Sequence, residues 1–166
     1  MKQDLSKRMT VLTVIVILFG VLSIVATLIT TGNTVGLFSI GSGTVPTIDW
    51  DGKFLVWKIL MLLGLVVSGL TTNILLIAFM WNTVRLIKSG EFFSRSNTKI
   101  LWRLVPFSFL NDFLGNNADM LFADMLFKDP SFTLSLGSIF IPLLIAVVAL
   151  IYSTGVLLTE ENRLTV

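Results

Sequence analysis

Polar residues inside an otherwise apolar segment raise the first chemical question: Asp112, Asn116 and Asp119 all lie within "NDFLGNNAD". At about 100° per residue they fall within about 60° of one another on a helix, so two carboxylates and a carboxamide share one stripe. Counted from an inner boundary near Arg103 at about 1.5 Å per residue, Asp112 lies about 13 to 14 Å deep, near the middle of a bilayer core about 30 Å thick. A carboxylate there costs about 2.5 to 3.5 kcal/mol on insertion scales and has to face protein, water or a proton. With Asn73 from a neighbouring helix, the stripe would line a polar cavity for an ion, a proton or a small ligand. Two plainer arrangements account for the same residues. Either Gly115 ends a shorter helix and leaves the acids at the outer interface, or the Asn and Asp side chains hydrogen-bond between helices. Asn117 and Asp124 form a separate polar edge. The tandem "ADMLF ADMLF" turns by about 140° per copy, which makes no amphipathic face, and it reads as an outward extension of the same helix.

The remaining catalytic repertoire is narrow. The chain has no cysteine and no histidine, which excludes disulfides, thiolate nucleophiles, Cys or His metal sites and imidazole acid–base steps. Catalysis would have to run on carboxylates alone, with no convergent nucleophile and base. The expectation is a non-enzymatic protein with no cofactor. A net charge of only +2, explained by positive-inside bias, gives no reason to expect direct nucleic-acid binding.

A second cluster is basic and aromatic, "LIKSGEFFSRSNTKI". Gly90 is placed to end one helix in a left-handed cap, with Arg85 and Lys88 complementing the negative helix end. Ser94, Ser96 or Asn97 would cap the next helix. Phe92 and Phe93 would dip into the headgroup boundary while Arg95 and Lys99 stay at the lipid phosphates. The plain reading is an anchored hairpin turn, and the functional one is a face read by a cytosolic partner. Glu160 and Glu161 oppose the dipole of the last helix unless paired, so contacts from one of them to Arg85, Lys88 or Arg163 are expected.

The elements that must carry these residues follow from composition. Hydrophobic residues make up 54% of the chain and charged residues 13%, far from a soluble domain. Uncharged runs at Met9–Ile48, Ile59–Val84 and Pro130–Thr159 each contain the roughly 20 apolar residues needed to cross a bilayer. The prediction is an all-α integral membrane protein, one domain over 1–166, with four transmembrane helices at about 9–30, 54–86, 101–127 and 134–158. Both termini are cytoplasmic, in a bacterial inner membrane. A larger outer loop over 31–53 joins the first two helices, read as an irregular lid in preference to a hairpin. The basic start followed by Met9–Ile29 is too long and too poor in a cleavage site for a signal peptide, so a retained signal anchor is expected.

This orientation puts Lys2, Lys7, Arg8, Arg85, Lys88, Arg95, Lys99, Arg103 and Arg163 inside, nine of the twelve Lys and Arg residues. Trp50 and Trp57 fall at the outer interface, Trp81 and Trp102 at the inner one. Lys58 is expected to snorkel outward, and Pro142 to kink the last helix or mark a short first turn. Gly64, Ser68 and Gly69 permit close helix contact without fixing an oligomeric state.

Two pieces together resemble a known family. "LIKSGEFFSRSNTKILWRL" resembles the cytoplasmic turn of the YoaS-like proteins, small bacterial four-helix membrane proteins of unknown function. Its pattern there is a basic residue, G, any residue, F, S, then N and a basic residue into the next helix. "IYSTGVLLTEENRLTV" resembles their ending. The outer loop and the Asn/Asp-rich third helix do not match. Such proteins look to be often encoded beside a helix-turn-helix regulator, so the resemblance implies a regulatory or sensor subunit whose turn and tail engage a cytosolic transcription regulator or another membrane subunit. It brings no catalytic residues. The alternative is a small transport, ion-pathway or immunity-type protein using the Asp112 stripe.

Overall fold

The computed structural model describes residues 2–37, 48, 54–121 and 135–164. These form α1 (Lys2–Thr34), α2 (Leu55–Ser89), α3 (Arg95–Asn116) and α4 (Leu136–Leu164), with a 3-10 turn at Ala118–Leu121. Three of the helices, α1, α2 and α4, are long and apolar enough to cross a membrane. In their most apolar stretches only 11%, 11% and 17% of residues are buried inside the protein, and side chains such as Phe19, Val56 and Phe140 point outward, 69%, 68% and 63% exposed. Apolar surface on that scale needs an apolar solvent. The chain is a helical membrane protein.

Packing follows chain order: α1 lies on α2, α2 on α3 and α3 on α4. Among the described residues the backbones of α1 and α4 do not approach one another. The start of α1 meets the end of α2, and the start of α3 meets the end of α4; this is the turn end of the bundle. The opposite, loop end joins the end of α3 to the start of α4. The small residues of α2 serve these contacts. A Cβ on Gly64 would come within 2.8 Å of Leu114, one on Gly69 within 3.0 Å of the Asn111 carboxamide oxygen, and Ser68 between them is fully buried. Small side chains let helix backbones close in where lipid offers no hydrophobic drive. Here that closeness is spent within the chain, between α2 and α3.

α3 departs most from expectation. It starts at Arg95 because the Ser94 hydroxyl accepts the Asn97 N–H at 3.2 Å, and it stops at Asn116, well short of Phe127. The Asn117 N–H turns back to the Leu114 carbonyl and its carboxamide to the Phe113 carbonyl, at 3.1 and 2.7 Å, closing the helix before the tandem repeat. α3 is therefore shorter than expected, its end set by Asn117 and not by Gly115; the second repeat copy lies outside the described residues. α3 also wears its polarity inward. Asn97, Leu101, Leu104 and Ser108 are buried at helical spacing, while Trp102, Pro106 and Phe109 face out.

Three further expectations are touched. Lys58 is only 1% exposed, so its side chain is enclosed by protein rather than snorkelling into the interface. Pro142 lies inside α4, which runs on to Leu164, past the expected end at 158. Of the expected lid beyond α1, residues 35–37 and Ile48 are described, and Ile48 is held at the end of α1, its N–H donating to the Thr34 carbonyl at 3.0 Å; residues 38–47 and 49–53, with Trp50, lie outside the described residues.

Candidate functional site

At the turn end, Gly90 takes the left-handed conformation (φ 83°, ψ 10°). Its N–H reaches the Ile87 carbonyl and that of Glu91 the Leu86 carbonyl, at 3.1 and 2.9 Å, the paired bonds of a Schellman cap. This exit aims the chain so that Ser94 caps α3 and Asn97, fully buried, enters between α2 and α4. The Asn97 amide donates to the Thr83 hydroxyl at 2.9 Å and the Tyr152 hydroxyl at 3.3 Å. Both hydroxyls have already committed their hydrogens, Thr83 to the Phe79 carbonyl and Tyr152 to the Phe92 carbonyl, each at 2.8 Å. They can only accept, which fixes which way the carboxamide points. The Asn97 Oδ1 is buried and has no partner among the described residues.

Aromatic rings close over this knot. Tyr152 stands edge-on to Phe79 and Phe93, with centroids 5.8 and 5.1 Å away. A Cβ on Gly155 would fall 2.6 Å from the Phe93 ring, so only glycine lets the turn lie so close to α4. Phe93 thus packs against α4 while remaining 37% exposed, and Phe92 is 56% exposed. Arg95 and Glu160 form a bidentate pair, Nε to Oε1 and Nη2 to Oε2, both at 2.7 Å. Hydrogen bonding to Glu160, then its charge, pushes the Arg95 guanidinium above its ordinary pKa. The expected partners of Glu160 need correcting, because Arg85 and Lys88 face α1 across the other side of α2; the Arg163 side chain lies outside the described residues. Lys99 and Glu161 are exposed. A cleft of about 450 Å³ lies elsewhere; the one here, about 350 Å³, is lined by Gly90, Phe92, Phe93, Arg95, Val156 and Glu160.

At the loop end, Asp112 opens onto a cleft of about 330 Å³ with Asn111, Asn116 and Ser135. Asn116 donates to Ser135 at 2.8 Å and to Ser138 at 2.7 Å, stitching α3 to the start of α4. No hydrogen bond or ion pair reaches the Asp112 carboxylate among the described residues. Asn73 does not join them. Its amide donates to the Gly69 carbonyl at 3.0 Å, and it lines the 450 Å³ cavity beside Thr27, Thr31 and Thr34 of α1. The stripe is therefore split between two hollows, with Asn111 and Leu65 bordering both. Asp119 is in the 3-10 turn and its side chain lies outside the described residues.

Sequence reasoning passed over Asn111 and Tyr152, gave Asn97 only a capping role, and ignored the hydroxyls of α1. Asn111 continues the buried series Asn97, Leu101, Leu104, Ser108 at helical spacing, and Ser23, Thr27, Thr30 and Thr34 repeat in the same way; both periodicities were there to be found. Among the described residues no three His, Cys, Asp or Glu side chains group to hold a metal. No family model, curated protein or solved structure matches the chain.

Proposed function

We propose that the chain is a non-enzymatic bacterial inner-membrane protein that acts by interaction, as a regulatory or sensor subunit presenting its turn end to a cytosolic partner. The observation that carries this reading is the pre-formed turn–tail face. The Schellman cap, the Asn97 knot and the Arg95–Glu160 pair hold the backbone from Gly90 to Arg95 against α4, while Phe92 stays 56% exposed. An aromatic held out from a rigid frame is what an interface anchor requires. A partner of the helix-turn-helix regulator class fits the resemblance of the turn and the ending to the YoaS-like proteins.

In this reading α3 is the fourth span and both termini are cytoplasmic. Its 22 residues extend about 33 Å, enough for the hydrocarbon core, and in its middle the exposed side chains, Pro106, Phe109 and Leu110, are apolar. Among the described side chains Lys58 alone of the lysines and arginines belongs to the loop end, which supports a cytoplasmic turn end. The test is site-specific photo-crosslinking in cells from position 92, with position 140 of the loop end as control. A crosslink to a soluble regulator, lost in Arg95→Glu and Glu160→Lys, is the expected result. Crosslinks at position 92 to lipid alone would sink the reading.

A second reading has its own observation, the unpartnered Asp112 carboxylate in a cleft with Asn116. Here the chain is a small ion-pathway or transport protein. Proteoliposome flux of protons or alkali cations, abolished by Asp112→Asn, would favour it; identical flux with and without the protein removes it.

A further inference from the structure

The start of α1 and the end of α2 enclose a groove of about 260 Å³ that belongs neither to the turn–tail face nor to the Asp112 cleft. Its two ends differ in chemistry. Val14, Ile17 and Val84 make an apolar floor, and Arg85 and Lys88 sit together at the mouth. Trp81, 62% exposed, lines the groove about one turn of α2 deeper than Arg85, and indoles collect at the lipid–water interface. Val14 is 52% exposed, so the groove opens sideways, toward the bilayer.

The two cations contrast with Arg95 nearby. Arg95 is neutralised by Glu160, whereas neither Arg85 nor Lys88 has an ion pair or a side-chain hydrogen bond among the described residues. A pair of unneutralised cations over an apolar slot, at the interface, is complementary to a molecule with an anionic head and a hydrocarbon tail. A soluble phosphate ester would leave the floor unfilled. An extended acidic protein segment would have to lie in lipid with its backbone groups unsatisfied. We propose that this groove binds one anionic phospholipid, its phosphate between Arg85 and Lys88 and an acyl chain along Val14 and Ile17. The site is assembled by α1 and α2 alone and is independent of the proposed partner face. A basic pocket between membrane helices is a recognised form of lipid recognition.

The test uses the full chain in detergent, with phosphatidylglycerol and phosphatidylcholine of identical acyl chains titrated by native mass spectrometry. One phosphatidylglycerol is expected to bind in preference to phosphatidylcholine. Arg85→Gln and Lys88→Gln are each expected to weaken it about fivefold, the value of one cation at an anionic surface. Val14→Trp, which fills the apolar end and keeps both charges, is expected to weaken it as well, with helix content by circular dichroism unchanged. Lys99→Gln, on the exposed face of α3, should leave it alone. Equal binding of the two lipids, or unchanged phosphatidylglycerol binding in Arg85→Gln and Lys88→Gln, would overturn the proposal. So would glycerol 3-phosphate binding as tightly as the lipid, which would assign the mouth to a free phosphate ester.

Discussion

The turn end and the loop end are both built around asparagine, and they use it in opposite ways. Asn97 is fully enclosed and its amide joins three helices through Thr83 and Tyr152. Asn116 is exposed and joins only neighbours across the α3–α4 connection, beside a carboxylate that no described residue engages. A donor whose hydrogens are both spent within the protein, as those of the Asn97 amide nitrogen are, is structure. A carboxylate left open keeps its chemistry for something else, and its removal costs the fold little.

That contrast can be broken by unfolding measurements in mild detergent. The largest effect is expected from Gly155→Leu, which drives a side chain into the Phe93 ring and should destabilise by about 3 kcal/mol, the upper range for overpacking. A loss below about 0.5 kcal/mol would mean that the turn swings off α4 freely. Asn97→Ala comes next. It strips two donors from a buried knot, and a loss of about 1 to 2 kcal/mol is expected on the scale of interhelical hydrogen bonds in membranes. For Asn116→Ala, with its partly exposed bonds, the expected loss is under about 1 kcal/mol. Asp112→Asn should be neutral within about 0.5 kcal/mol or stabilising, because it removes a costly charge and no protein bond. If Asp112→Asn proved more damaging than Asn97→Ala, the two ends would have been read the wrong way round.

What the sequence disclosed was mostly local. The cap at Gly90 was legible because a glycine after an apolar helix with basic residues in its last turns has few other uses, and the three apolar spans were legible from length. The end of α3 was less so. It depends on the Asn117 carboxamide reaching back to Phe113, one of several Asn and Asp side chains able to do so. Pairings between helices were illegible for a different reason. Whether Glu160 meets Arg95 or Arg85 depends on how far α4 is rotated and how far past 158 it continues. Whether Asn73 meets Asp112 depends on which side of α2 each neighbour occupies. Helical periodicity fixes which residues share a face, but not the partner of that face, and so Asn73 went to the α1 side while Asp112 turned toward α4.

The bond from Tyr152 to the Phe92 carbonyl and the pair between Arg95 and Glu160 make the α2–α3 turn and the end of α4 one thermodynamic unit. Fraying of α4 and displacement of the turn draw on the same free energy. A molecule that grips the turn only in its observed shape must therefore shift the order of the tail, and a molecule that grips the tail must shift affinity at the turn by the same factor. A message delivered to either segment is legible at the other.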